Sequence, residues 1–268
     1  MISLMQILNE AQGNPKAILL AGAPGAGKGT ILRQVDLKGL PIFNLDDTII
    51  ALSKAKDAGF TLDQKTADAE NRSRFMRAMQ AATKNLKTNQ LAPAIAQGKS
   101  FVLDGTSSSY NTTNKLKQEL EDQGYQVMML YVYTDLERSL RQNQDRFEKS
   151  GGQDRSLAPG AVLRTWNDVT KQYFPYKELF GNNFVSVANT GEDNNLKDVE
   201  SILQKYVEPF SPKDAKPKDA KAQARSDKQK AQVNQEIQDF LDQDKVKDIT
   251  ANSVSAEEAA SKIQSFLS

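Results

Sequence analysis

The stretch Lys16-Ala-Ile-Leu-Leu-Ala21-Gly22-Ala23-Pro24-Gly25-Ala26-Gly27-Lys28-Gly29-Thr30 runs from a short apolar segment into a glycine-rich turn built around a lysine. KAILLA has the length and composition of a buried strand, and Ile31 to Val35 opens a helical pattern. Between them lies the spacing G-x-x-x-x-G-K. Glycines let the backbone wrap so that its N–H groups converge, the following helix adds the positive end of its dipole, and Lys28 adds a full charge. Such a cradle suits the β- and γ-phosphates of ATP, so Gly22, Ala23, Pro24, Gly25, Ala26, Gly27, Lys28, Gly29 and Thr30 form the expected nucleotide segment. A Ser or Thr normally follows the lysine and ligates Mg2+. Here Gly29 does, and Thr30, one residue later, is the loop's candidate metal ligand, acting directly or by bonding phosphate while waters hold the ion.

The same kind of apolar run recurs at Pro41 to Leu45, Ser100 to Asp104, Gln126 to Tyr133 and Asn183 to Ala188. Helical patterns separate these runs. Thr61 with Gln64 reads as a capping box opening a helix through Arg77 and Met79, and Thr134 with Glu137 opens another through Leu140. The alternation predicts an α/β fold of the P-loop NTPase type, a three-layer sandwich with a five-stranded, mostly parallel sheet. Leu196, Val199, Ile202, Leu203, Tyr206 and Val207 share one face and predict a closing helix. Ser211 to Lys230 carries no large apolar side chain and reads as a charged, flexible linker. Beyond it, Val233, Ile237, Phe240 and Leu241 mark one short helix, and Ser255 with Glu258 caps a second bearing Ile263, Phe266 and Leu267. The expected division is an N-terminal helix at 1–14, a P-loop domain at 15–210, the linker at 211–231 and a C-terminal helical appendage at 232–268. The appendage is expected to dock on the core, self-associate, bind a protein partner or stay a loose tail.

Composition narrows the chemistry. Thirty-five basic residues face thirty-four acidic ones, so the overall charge favours neither nucleic acid nor an anionic membrane. No apolar run approaches the ~20 residues that cross a bilayer, and Met1 to Gly13 lacks the basic start and cleavage site of a signal peptide. A cytoplasmic location without membrane attachment follows as the expectation. The chain has no Cys and no His, which excludes thiol nucleophiles, Ser-His-Asp triads and imidazole bases and fits a reducing compartment. Proton transfer falls to Asp, Glu, Lys or Tyr.

Asn44-Leu45-Asp46-Asp47 closes the second strand on the edge where open α/β sheets place their sites. A carboxylate there can orient a substrate hydroxyl and take its proton, with Asp46 preferred and Asp47 second; alternatively one of them caps the helix through Ile49 and Leu52. Asp104 ends the third strand and is a candidate for holding Mg2+ or its waters, and with Thr106 and Ser107 for lining a substrate pocket. After the fourth strand come Arg138, Arg141, Arg146, the pair Gly151-Gly152 and Arg155. Arginines on a closing segment can deliver donors to the charge that spreads over a transferring phosphoryl group. Arg146 and Arg155 are the catalytic candidates and Arg141 a nucleotide contact, while Arg138 reads equally as a solvated helix charge. Arg74, flanked by Arg72 and Arg77, is the candidate for an anionic substrate group.

The GKGT ending resembles adenylate kinase. The phosphate loop followed by Asn-x-Asp-Asp resembles the kinase half of polynucleotide kinases and the zeta-toxin family, which use an Asp there as base. Asp104-Gly105-Thr106 and the helix-glycine-arginine order through Arg155 resemble the pocket and lid of zeta-type kinases, and Asn189 to Gly191 stands where such kinases pass near adenine. Both families carry an Arg shortly after the acidic residue, where this chain has Thr48, Ile49 and Ile50. The resemblance covers about residues 15 to 208. It implies ATP and Mg2+ as cofactors and transfer of the γ-phosphoryl group to a hydroxyl of a small molecule, a sugar nucleotide or a polynucleotide. A nucleoside-monophosphate kinase and a non-catalytic nucleotide-binding protein docked through its C-terminal helices are the alternatives.

Overall fold

All five apolar runs become strands of one sheet: β1 (Lys16–Ala21), β2 (Ile42–Asn44), β3 (Phe101–Asp104), β4 (Gln126–Tyr133) and β5 (Phe184–Ala188). The computed structural model describes residues 14–37, 39–55, 58–190, 231, 235 and 245–268. The strand order is β2-β3-β1-β4-β5, and every pairing is parallel, with Ala17 opposite Phe101 on one side of β1 and Val127 on the other. Strands buried on both faces need apolar residues at every position rather than alternating ones, which is why KAILLA and QVMMLYVY contain so little polarity. The winding leaves β1 in the middle, with β3 on one side and β4 on the other, and this switch point lies at its C-terminal end.

Alternate residues of the strands feed two cores. On one face Leu19, Met129, Tyr131 and Tyr133 pack with Leu120 of helix α5 (Tyr110–Glu121), Leu136 and Leu140 of α6 (Leu136–Lys149), Trp166 of α7 (Pro159–Lys171) and Tyr176 of α8 (Tyr173–Phe180). On the other face Ile18, Leu20, Met128 and Leu130 meet Ile31 and Leu32 of α1 (Lys28–Leu32). The same face is covered by Ala259, Ala260 and Ile263 of the last helix, α10 (Ala256–Leu267). The C-terminal segment therefore docks on the sheet and supplies part of its third layer. Its preceding helix, α9 (Lys245–Ala251), places Ile249 in the first core, and Val254 bridges Val187 of β5 in parallel. A third, smaller cluster joins Ile49 of α2 (Leu45–Ser53) to Leu62 and to Phe75 and Ala82 of α3 (Ala69–Asn85), which runs on through a π-turn into α4 (Ala92–Ala96).

Helix starts differ from expectation in two places. The helix expected from Thr61 begins at Ala69, capped by Asp68, whose carboxylate accepts from the Asn71 N–H at 2.7 Å. Thr61 and Gln64 instead close a turn, the Gln64 amide donating to the Thr61 carbonyl at 2.7 Å. The Gln64 N–H is used by the Ser156 carbonyl, so a tertiary bridge outcompetes the helix there. The second helix is capped one residue later than expected, by Asp135 accepting from the Arg138 N–H, while the Thr134 carbonyl accepts from the Trp166 indole at 2.7 Å. Ser255 caps α10 as its spacing predicts. The expected helices at Met1 to Gly13, Leu196 to Val207 and Val233 to Leu241, and the linker, lie outside the described residues except at 231 and 235. No helix among the described residues is long and apolar enough to cross a membrane.

Candidate active site

The loop from Gly22 to Gly27 rises from the C-terminal end of β1, at the switch point of the sheet. Gly25 and Gly27 have φ of +75° and +88°, a region that favours glycine. Space demands glycine as well, because a Cβ at Gly25 would stand 2.9 Å from the Ser139 carbonyl oxygen and one at Gly27 2.5 Å from the Asn189 amide nitrogen. These neighbours brace the loop. Ser139 Oγ donates to the Pro24 carbonyl at 2.6 Å and Asn189 Nδ2 to the Ala26 carbonyl at 2.8 Å. Gln142, with its amide turned so that both ends are satisfied, donates to the Gly25 carbonyl and accepts from Arg138 Nε. From the other side the Gly22 N–H donates to the Thr106 carbonyl at 3.2 Å. Lys28 folds back over the loop and donates to the Gly22 and Ala23 carbonyls at 3.0 and 3.4 Å. Burial pushes its ammonium below the ordinary lysine range, Asp104 and Asp46 pull it back up, and Arg155 and Arg146 push it further down.

Asp46 stands in the first turn of α2, directly after β2. Two arginines converge on it: Arg155 Nε meets Oδ1 at 2.5 Å and Arg146 Nη2 meets Oδ2 at 3.1 Å. Burial would raise its pKa, but the charges and hydrogen bonds of Arg155 and Arg146 overcome that and hold the carboxyl below the usual carboxylate value. The arginines arrive from α6 and the turn that follows Gly151-Gly152, and Asp154 holds them there. Its carboxylate takes Arg146 through Nε and Nη2 at 2.9 and 3.0 Å and accepts the Arg155 backbone N–H at 2.8 Å. The next residue, Ser156, exchanges backbone hydrogen bonds with Leu62 and Gln64 at 3.0 and 2.9 Å. The arginine segment is thereby stitched to the Ile49, Leu62 and Phe75 cluster beneath α2.

Asp104 lies across the sheet register from Asn44, whose amide donates to its Oδ2 at 3.1 Å. Burial raises its pKa, Lys28 lowers it, and Asp46 and Asp47 raise it further, leaving it above the ordinary carboxylate value. Lys28, Asp46, Asp104, Arg146 and Arg155 thus share one electrostatic cluster at the rim of the sheet.

Other expected site residues sit differently. Asp47 is exposed in the first turn of α2. The Thr30 hydroxyl is exposed and accepts from Arg33 Nη2 at 3.0 Å, which occupies one of its two lone pairs. Thr106 meets the loop through its carbonyl. Ser107 takes a left-handed φ of +47°, its hydroxyl donating to the Leu20 carbonyl at 2.8 Å and its own carbonyl accepting from Tyr176 at 2.7 Å. Both polar groups hold the loop's footing rather than face an open pocket. Arg74 is paired with Glu70 on its own helix and donates to the Gly59 carbonyl, and Arg141 is exposed on α6. Neither contact brings its guanidinium to the cluster.

The residues that sequence reasoning passed over are Ser139, Gln142 and Asp154; Asn44 and Asn189 stand in quoted stretches, but their bracing contacts left no signal there. For Mg2+ the donor set fits in part. No cluster of three or more acidic ligands occurs among the described residues, and Mg2+ beside a nucleotide needs only one or two carboxylates plus phosphate and water. Asp104, with one oxygen on Asn44, can serve as that carboxylate, and Thr30 keeps a lone pair beside its contact with Arg33.

The sequence matches the zeta toxin family over residues 3–169. No curated protein matches it. Among solved structures it is similar to a Chloroflexus aurantiacus protein described only provisionally as a kinase, with 14% identity and a TM-score of 0.45 over 72% of this chain and 96% of that one. It is similar to a chain of the PezAT toxin-antitoxin system of Streptococcus pneumoniae, with 18% identity and a TM-score of 0.41 over 66% and 68%. It is also similar to a chain of the AvrRxo1-ORF1:-ORF2 complex with ATP, with 19% identity and a TM-score of 0.48 over 69% and 57%. A family match spanning more than half of the residues, on a parallel five-stranded sheet with a phosphate-type loop at its switch point, places the protein: the chain belongs to the zeta toxin family.

Proposed function

We propose that the chain is an ATP-dependent phosphotransferase that moves the γ-phosphoryl group of ATP to a hydroxyl of a small molecule, a sugar nucleotide or a polynucleotide. One observation carries this reading: a lysine-bearing glycine loop and a carboxylate gripped by two arginines meet at the same end of a parallel sheet. The loop N–H groups and Lys28 take the β- and γ-phosphates, for which Lys28 exchanges its bonds to the Gly22 and Ala23 carbonyls. Arg146 and Arg155 turn from Asp46 to the phosphate oxygens, where developing charge is greatest. Asp46, once released, orients the acceptor hydroxyl and receives its proton as the acceptor oxygen bonds to the γ-phosphorus and ADP departs with the electron pair of the broken P–O bond. Asp104 would hold Mg2+ or its waters, and the ion supplies neutralisation of the β- and γ-oxygens when bound. Asp47, exposed one residue on, is the second candidate for the base.

The test is transfer itself. Mg-ATP is incubated with pooled nucleotides, sugar nucleotides and oligonucleotides, and products that gain a phosphate are found by mass. The reading expects a product with the native protein and none with Asp46→Asn or Lys28→Ala. ATP binding without any product would instead favour a non-catalytic nucleotide-binding protein.

A further inference from the structure

The residue that joins the two carboxylates is Asn44. It ends β2 in an extended conformation, with φ −127° and ψ 129°, directly opposite Asp104 of β3. Its Oδ1 accepts the Asp46 backbone N–H at 2.8 Å, which caps α2, and its Nδ2 donates to Asp104 Oδ2 at 3.1 Å. The first contact settles the amide's orientation, since a backbone N–H requires an oxygen. An amide is the side chain that meets both demands from this position. Ser or Asp supplies a capping acceptor, but Ser is too short to reach Asp104, and Asp would bring a third negative charge to a cluster that holds Asp46 and Asp104.

Resting on the phosphotransferase reading, we propose that Asn44 is a positioning residue that couples the first turn of α2, and so Asp46, to the orientation of the Asp104 carboxylate. By holding one Asp104 oxygen it fixes the carboxylate's plane and leaves the other oxygen as the acceptor for a further ligand. The helix cap and the carboxylate tether are separable functions of one side chain, and substitution can divide them.

Asn44→Ser keeps the cap and removes the tether. Its melting temperature is expected within a few degrees of the native protein, because Ser is an equivalent cap. ATP affinity in EDTA, measured by calorimetry, should not change, whereas the gain in affinity on adding Mg2+ should fall about tenfold, as for one lost charge-assisted hydrogen bond. kcat should fall with it. Should Asn44→Ser not fold, Asn44→Gly serves, since glycine is a tolerated N-cap. A native Mg2+-dependent gain and native kcat in either variant would overturn the proposal and leave Asn44 a helix cap alone; so would a fall in melting temperature with no change in that gain. Native protein that fails to bind ATP would instead refute the phosphotransferase reading on which the test stands.

Discussion

Replacing Asp46 by Asn should abolish phosphoryl transfer and at the same time tighten ATP binding. The second effect comes from the arginine clamp. The Arg155 bond to Asp46 joins two side chains that are only 13% and 18% exposed, so a charge-assisted hydrogen bond there is worth about 1.5–3 kcal/mol. Arg146 is 46% exposed and shares itself with Asp154, so its bond to Asp46 adds about 0–1 kcal/mol. Both bonds are lost when the arginines turn to the triphosphate. An asparagine keeps one acceptor oxygen for the arginines, a contact worth about 1 kcal/mol, so the variant forfeits about 0.5–3 kcal/mol less on binding nucleotide. That difference predicts ATP affinity higher by roughly 2- to 150-fold. Calorimetry would compare the variant with ATP to the native protein with a non-hydrolysable analogue, each protein also being titrated with the other ligand as a control. Equal or weaker binding by Asp46→Asn would show that the clamp persists in the nucleotide complex, and surviving transfer would remove Asp46 from the role of base.

The clamp also fixes a pH dependence. The folded-state pKa of Asp46 is depressed below 3.8, so its contribution to stability is present above that value and is lost as pH falls through the folded pKa; the urea stability gap between native and Asp46→Asn protein should close below about pH 3.8. Asp104 is shifted the opposite way, so its charge costs stability at neutral pH. Asp104→Asn should raise the melting temperature of the nucleotide-free protein by a few degrees at pH 7 while weakening Mg-ATP binding, and the thermal gain should vanish in acid, where Asp104 itself becomes neutral. Ile263 of α10 is fully buried against the sheet, so Ile263→Ala should cost about 2–5 kcal/mol and lower the melting temperature by roughly 5–15 °C, whereas a loose tail would show no change.

The sheet was legible in the sequence because strands buried on both sides carry uninterrupted apolar runs, and all five runs lie in strands within one residue or so of their expected ends. The glycine-rich loop was legible because its spacing is local: six residues fix its own turn. The braces were not, since Ser139, Gln142 and Asn189 reach the loop from segments more than 110 residues away; Ser139 and Gln142 look like ordinary polar residues in sequence, and Asn189 stands out only by resemblance, not as a brace. Charge patterning grouped Arg146 and Arg155, yet it could not say that their resting partner is Asp46, because that pairing depends on the backbone bridge between Ser156 and Leu62. Arg74 shows the converse: an arginine in a promising row is satisfied by Glu70 one helical turn away. The last helix was found by its cap and face, but which surface its face would cover was a tertiary question, answered by Ile18, Leu20 and Leu130.

ATP affinity of the native protein against Lys28→Ala, measured by calorimetry with Mg2+ present, tests the central claim most directly. Lys28 now donates to the loop carbonyls of Gly22 and Ala23, the position from which it would reach the phosphates. The account predicts clear binding by the native protein and a loss of about a hundredfold or more in the variant, equivalent to roughly 2.7 kcal/mol. Equal affinity in the two proteins, or no binding by either, would contradict it.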